Sequence, residues 1–124
     1  MIIKTHLTAS EILAKETVLS FIRALNGEDF KTARTYLSDA MVFNGVLGSR
    51  EGADVYIGDM EKMKFKYEIK KLFVDGDDVC LFYDIDMSGH TIFSSGWYQV
   101  EDGKIKSLQV IFDPRPLLEK NGKK

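Results

Sequence analysis

The chain has 124 residues, of which 44% are apolar and 29% are charged, and its formal net charge is −2. This composition is that of one ordinary globular domain, and the even spread of Lys and Arg lacks the basic surface on which nucleic-acid binding depends. The single cysteine, Cys80, excludes an intrachain disulfide, and no apolar run approaches the roughly 20 residues of a membrane-spanning helix.

Helical spacing of apolar residues dominates the first half of the chain. The predicted elements there are helices over residues 8–26, 28–37 and 53–62 and a strand over residues 41–47. Thr8 is a suitable N-cap for the first helix, and Asn26-Gly27 is a suitable left-handed stop.

Beyond residue 64 the apolar period changes to two, which is typical of β-strands. The alternating set slips by one residue near Lys70-Lys71, and such a slip predicts a β-bulge that bends the sheet. Hairpin turns are predicted at residues 75–78, 88–90 and 102–103 because these positions are rich in Asp, Gly and Ser.

Three helices followed by a meander of strands predict an α+β fold, in which the helices pack on a strongly curved antiparallel sheet. Such a sheet would form a cone with a central pocket between the two layers. We expect a single domain over residues 1–124, with its core at about 10–118 and a frayed basic tail at 119–124. The opening residues lack a signal-peptide pattern, so a cytoplasmic location is expected.

Several short segments resemble those of one known superfamily. They are residues 21–26 (FIRALN), 29–30 (DF), 36–39 (YLSD), Gly48 with Gly52, 102–105 (DGKI) and 112–116 (FDPRP). Their order and spacing, from about residue 17 to residue 118, resemble the nuclear transport factor 2-like superfamily and its SnoaL-like branch. That superfamily includes ketosteroid isomerases, polyketide cyclases, epoxide hydrolases, dehydratases and non-catalytic transport and assembly domains. The resemblance therefore implies the fold and does not select one activity.

The resemblance also allows the catalytic positions of related enzymes to be checked in this chain. Ketosteroid isomerase-like enzymes would have a phenol, a carboxylate base and a carboxylic acid at the positions of Phe21, Gly45 and Gly96, and all three groups are absent. Epoxide hydrolase-like members would have a carboxylate at Val110. Neither chemistry is expected, and the resemblance leaves no catalytic residue assignable.

Two residues remain as candidates for catalysis. Tyr83 could place its hydroxyl in the cavity as a general acid or ligand contact, or it could be a core aromatic with a satisfied hydroxyl. Asp59 could act as an acid or base if partly buried, or it could lie on the solvated edge of its helix.

Asn44 could bind a polar group of a ligand, or it could bond its own backbone in a turn.

Alternation along the strands separates two faces of the predicted sheet. The resemblance implies that the sets containing Tyr83, Tyr98 and Val110 face the helices and the cavity. The predicted ligand-binding residues are Phe21, Asn44, Tyr56, Met60, Leu81, Tyr83, Tyr98, Val110 and Phe112.

The opposite face carries large apolar side chains among small polar ones. An exposed apolar patch of this kind usually marks an interface, so we expect a two-fold homodimer joined sheet to sheet. The predicted interface residues are Phe82, Phe93, Trp97, Ile105 and Ile111.

The expected function is binding of a small hydrophobic ligand, with cofactor-free isomerisation, cyclisation or dehydration if the protein is an enzyme. No cofactor is expected because no cofactor motif is present, and two histidines and one cysteine without ligand spacing predict no metal site. The alternative is a non-catalytic homodimeric ligand-carrier or interaction module whose cavity is filled by its own aromatic side chains. An open cavity would favour the first function, and a filled interior would favour the second.

Overall fold

The computed structural model describes residues 6–122 of the chain. These residues form α1 Ala9–Asn26, α2 Phe30–Thr35, β1 Leu37–Gly45, β2 Gly48–Glu51, α3 Ala53–Met63, β3 Lys66–Asp75, β4 Asp78–Met87, β5 His90–Glu101, β6 Lys104–Phe112 and α4 Arg115–Gly122. The predicted α+β class, with helices packed on a curved sheet, is confirmed. Over this range, no helix is both long enough and apolar enough to cross a membrane.

The strands form one six-stranded sheet in the order β2-β1-β6-β5-β4-β3. All neighbouring pairs are antiparallel except β1–β6, which is parallel, so the sheet is mixed rather than wholly antiparallel as predicted. Hairpin signals reveal only strands that are neighbours in sequence, whereas parallel strands are joined by long crossover connections. No local sequence pattern therefore predicted the pairing of β1 with β6.

Local hydrogen bonds fix both ends of α1. The Thr8 hydroxyl accepts the backbone N–H of Glu11 at 3.2 Å, and the Glu11 carboxylate accepts the backbone N–H of Thr8 at 3.0 Å, which is a capping box. The same carboxylate accepts the N–H of Gly76 in the β3–β4 turn at 2.8 Å. At the other end, the Asn26 side chain bonds both the N–H and the C=O of Tyr67 on β3. Helix α1 is thereby joined to the sheet at both ends.

Helix α2 is shorter than the predicted helix over residues 28–37. Asp29 caps its start by accepting the N–H of Thr32 at 3.2 Å. At its end, the C=O of Tyr36 accepts the N–H of Ile105 at 2.7 Å, and Leu37 pairs with Ile105. This contact with β6 ends the helix early and starts β1 before residue 41. Helical spacing alone does not show such tertiary pairing.

The register of the sheet shifts at bulges that bend its strands. The bulge predicted near Lys70-Lys71 is confirmed, because the pairing of β3 with β4 shifts between Ile69 and Lys71. A second shift lies between β5 and β6, where Gln99 pairs with Ser107 but Val100 pairs with Ile105.

The second bulge makes one predicted interface residue wrong. Strict alternation places Ile105 on the outer face with Ile111, but Lys106 is an extra residue in the ladder. A slip of one residue moves a side chain to the opposite face of a sheet. Ile105 therefore shares the inner face with Leu108 and is fully buried.

The core lies between the helices and the inner face of the sheet. The inner-face residues that alternation predicts on β4 and β5 are confirmed as buried: Val79, Leu81, Tyr83, Ile85, Met87, Ile92, Ser94, Tyr98 and Val100. From α1, Val18, Phe21, Ile22 and Leu25 pack into the same cluster.

The chain turns from β6 into α4 at an ion pair. The Asp113 carboxylate accepts hydrogen bonds from Nε and Nη2 of Arg115 at 2.6–3.0 Å, and these bonds lower the pKa of Asp113 to about 2. Helix α4 was not among the three predicted helices. It includes part of the predicted tail over residues 119–124, and residues 123–124 lie outside the described range.

Candidate functional site

An open cavity of about 470 Å³ lies between the inner face of the sheet and helix α3. Its deeper wall is formed by Phe43, Tyr56, Met60, Tyr67, Tyr83, Ile85, Met87, Tyr98, Leu108 and Val110. Pockets of roughly 300–1,000 Å³ with mostly apolar walls are typical of small-molecule sites. The interior is therefore not filled by the aromatic side chains of the protein.

Four tyrosines line this wall: Tyr56 of α3, Tyr67 of β3, Tyr83 of β4 and Tyr98 of β5. The ring of Tyr67 meets that of Tyr83 edge-on at 5.2 Å between centroids. The Tyr67 hydroxyl donates to Sδ of Met60 at 3.7 Å. Burial raises the pKa of all four phenols, so they stay neutral and keep a proton to donate.

Gly96 creates the space that two of these side chains occupy. A Cβ atom at Gly96 would lie 2.9 Å from a ring carbon of Tyr98 and 3.1 Å from the Tyr83 hydroxyl. For ketosteroid isomerase-like enzymes, the resemblance implies a carboxylic acid at the position of Gly96. In this protein the Tyr83 hydroxyl lies beside that position instead. Polar chemistry at this point of the cavity comes from a neutral phenol instead of a carboxyl group.

The mouth of the cavity carries an ion pair. Nε of Arg50, on β2, donates to Oδ2 of Asp59, on α3, at 2.7 Å. The Arg50 side chain is 55% exposed and that of Asp59 is 25% exposed. Among the side chains described, those of residues 6–118, these two are the only charged ones that line the cavity. The other residues of the mouth are mostly apolar, and they include Val46, Leu47, Met63 and Leu117.

Six of the nine predicted ligand-binding residues line the cavity: Tyr56, Met60, Tyr83, Tyr98, Val110 and Phe112. Asp59, a candidate for catalysis, lines it as well. Their roles in binding or catalysis stay predictions, because cavity geometry alone does not test them.

The predicted placement of the other three residues is wrong. Phe21 and Leu81 are fully buried in the core behind the cavity wall, and the Phe21 ring stacks on Tyr56 with centroids 6.5 Å apart. Asn44 is exposed on the outer face, since its neighbour Phe43 takes the inward position on β1. Its Oδ1 accepts the Ser49 hydroxyl at 2.9 Å across the β1–β2 hairpin.

Sequence reasoning missed several residues of the cavity. Ile85 and Met87 share the parity of Tyr83 along β4, so alternation could have placed them in the wall. No sequence pattern indicated that Arg50 lies at the cavity, because its position there depends on its bond to Asp59 of α3.

The outer face of the sheet carries an exposed apolar patch. The ring of Phe82 stacks on that of Phe93 at 5.9 Å and meets that of Phe73 edge-on at 6.2 Å. Phe93 and Ile111 are 61% and 62% exposed. The predicted interface did not include Phe73, which extends the patch to β3. We call Phe73, Phe82, Phe93, Trp97 and Ile111 the outer patch.

No group of three or more His, Cys, Asp or Glu residues that could hold a metal ion occurs in the part of the chain that the structure describes. The polar groups of the cavity are thus phenol hydroxyls, two serines, and the Arg50–Asp59 pair. Such groups can orient an oxygen atom of a ligand or exchange a proton with it.

The sequence matches the SnoaL-like domain family over residues 18–108, and no curated protein matches it at a significant level. Among solved structures, an NTF2-like protein of unknown function from Cytophaga hutchinsonii is 52% identical, with 94% of this chain and 100% of that chain covered and a TM-score of 0.85.

Two more distant structures are similar in fold alone. An LEH-like epoxide hydrolase from M. tuberculosis is 23% identical, with 88% of this chain and 89% of that chain covered and a TM-score of 0.76. A de novo designed protein with a curved β-sheet is 20% identical, with 90% and 95% covered and a TM-score of 0.74.

Proposed function

This chain belongs to the SnoaL-like domain family, within the NTF2-like proteins, and on that premise we propose that it binds a small, largely apolar molecule in the cavity. The observation that carries the proposal is the open volume of about 470 Å³, whose wall is mostly apolar and includes four tyrosines. A module that used the fold only as a scaffold would gain stability by filling this volume with side chains, since empty apolar cavities cost free energy.

The tyrosine hydroxyls supply the polarity that would orient such a ligand. A phenol is neutral at physiological pH, and burial raises the pKa values of Tyr83 and Tyr98 further, so both hydroxyls keep their protons. Donors of this kind suit a carbonyl or hydroxyl oxygen, and in a water-poor site they stabilise negative charge that develops on it.

The same residues favour acid–base chemistry without a cofactor if the bound molecule reacts. Asp59 at the mouth has a carboxylate that can accept a proton, and Tyr83 lies deeper in the cavity as a neutral donor. Isomerisation, cyclisation and dehydration each need only a proton acceptor and a donor near an oxygen atom.

We place the protein in the cytoplasm, where a lone thiol such as Cys80 stays reduced.

Filling the cavity should abolish ligand binding. Val110→Trp places a large ring in the open volume, and we expect the affinity for N-phenyl-1-naphthylamine, a neutral apolar fluorophore, to fall about tenfold or more. Because the ring enters empty space, the melting temperature should change little. Fluorescence titration of the probe measures the first effect, and thermal unfolding followed by circular dichroism measures the second.

Ile111→Trp is the matched control for this experiment. Ile111 follows Val110 on β6 but points to the outer face, where it is 62% exposed. This variant should bind the probe like the unaltered protein. Equal probe binding by both variants would contradict the proposed site.

We also propose that two copies associate through the outer patch. An exposed cluster of this size is unusual for a monomer, and a two-fold axis would bring the same patch of each copy together. The stacked rings of Phe82 and Phe93 form its centre, with Trp97 and Ile111 beside them. The indole N–H of Trp97 donates to Asp78 at 3.0 Å, so its polar group has a partner before association.

A further inference from the structure

The guanidinium of Arg50 has unused hydrogen-bonding capacity at the mouth of the cavity. An arginine has five N–H donors, and Arg50 uses Nε for the 2.7 Å bond to Asp59. Among residues 6–118, whose side chains the structure describes, its terminal nitrogens have no hydrogen-bond partner. More than half of the side chain is exposed, so an arriving ligand can reach these nitrogens.

A second arginine of the same chain shows how this arrangement is completed. Nε of Arg34 bonds Asp54 at 2.7 Å, and its Nη2 bonds a second carboxylate, that of Asp39, also at 2.7 Å. Arg50 has the first half of this arrangement, because its Nε bonds Asp59, and it lacks the second carboxylate. Arginine donors in a planar fork match the geometry of carboxylate oxygens.

The surroundings of Arg50 indicate what else the ligand contains. Val46, Leu47 and Met63 are exposed apolar side chains at the mouth, and the wall beyond them is apolar apart from the tyrosine hydroxyls. A volume of about 470 Å³ lies within the range of small-molecule sites, roughly 300–1,000 Å³. A molecule of comparable size with one anionic end would place its apolar part inside and its charge beside Arg50.

Resting on the proposed function, we propose that the cavity takes a small apolar carboxylic acid, whose carboxylate binds the terminal N–H groups of Arg50. Asp59 is then a positioning residue, since its bond to Nε holds the guanidinium at the mouth. An amine is the less suitable head group, because Asp59 is the less exposed partner and one of its oxygens already accepts from Arg50.

Three probes with the same alkyl chain separate these head groups: octanoate, octan-1-ol and octylamine, each titrated by calorimetry. We expect octanoate to bind the unaltered protein about tenfold more tightly than octan-1-ol, since a hydrogen bond to a charged group is worth about one to two factors of ten. Arg50→Gln should remove this advantage and leave the affinity for octan-1-ol unchanged. Lys62→Gln, which removes a positive charge from α3 outside the cavity, should change neither affinity.

The outcomes distinguish this inference from the proposed function. Equal binding of octanoate and octan-1-ol, with no effect of Arg50→Gln, would overturn the carboxylate proposal and leave the apolar site intact. Tightest binding of octylamine, lost in Asp59→Asn, would overturn it in favour of a cationic head group. Binding of none of the three probes to the unaltered protein would overturn both the inference and the proposed function.

Discussion

Gly96→Ala is expected to lower the free energy of unfolding by about 2 kcal/mol, the usual cost of an added methyl group in a packed interior. The new Cβ would lie 2.9 Å from a ring carbon of Tyr98, closer than real Cβ contacts allow. Tyr98 is only 1% exposed and belongs to the core cluster, so relief of the clash would disturb packed side chains. The Tyr83 hydroxyl, 3.1 Å from the same point, would be displaced as well. Urea unfolding followed by circular dichroism measures the change.

Gly58→Ala is the control, and it is expected to raise the free energy of unfolding instead of lowering it. Gly58 lies inside α3, and a Cβ there meets no atom within 4 Å. Alanine at this position should stabilise the protein by about 0.5–1 kcal/mol, because glycine loses more backbone freedom in a helix. If Gly96→Ala were as well tolerated as Gly58→Ala, the result would contradict the close packing of Tyr83 and Tyr98 against Gly96.

Phe93→Glu is expected to convert a homodimer into a monomer. In a two-fold interface the substitution occurs twice, so two carboxylates would be buried near one another without partners. Each such burial costs several kcal/mol, and the dissociation constant should rise about a hundredfold or more. Phe93 is 61% exposed in the single chain, so the fold itself should tolerate the change. Light scattering and sedimentation velocity measure the mass.

Val55→Glu tests whether this effect is specific to the outer patch. Val55 is 50% exposed on α3, away from the outer face of the sheet. The same change of an exposed apolar residue to glutamate should leave the mass at that of a dimer. A dimer that survives Phe93→Glu, or one that Val55→Glu dissociates equally, would contradict association through the outer patch.

Strand alternation predicted most of the fold because the period of two is fixed by the pleat. On β4 and β5 it assigned the buried face correctly, and the slip near Lys70-Lys71 revealed the bulge in β3. It was wrong at Ile105, although the apolar set slips by one residue between Ile105 and Leu108, just as it does between Ile69 and Leu72, so the second bulge had a signal in the sequence that was missed. The parallel pairing of β1 with β6 was also missed, since it depends on a contact between distant parts of the chain.

The candidate site was only partly predictable from the sequence. Parity tells which face a side chain occupies but not how deep it lies, so Leu81 and Tyr83 share a face while only Tyr83 reaches the cavity. The Arg50–Asp59 pair joins a strand and a helix, and no periodic pattern links such positions. A fold of this kind hosts many unrelated activities, so the architecture by itself specifies none of them.

The methionine methyl groups provide the most direct test of the central claim that the cavity is a ligand site. Met60, Met63 and Met87 line it, whereas Met41 is fully buried in the core away from its wall. In a protein labelled with 13C at the methionine methyl groups, saturating octan-1-ol should shift the signals of the three cavity residues and leave that of Met41 unchanged. Unchanged signals from Met60, Met63 and Met87, or an equal shift at Met41, would contradict the account.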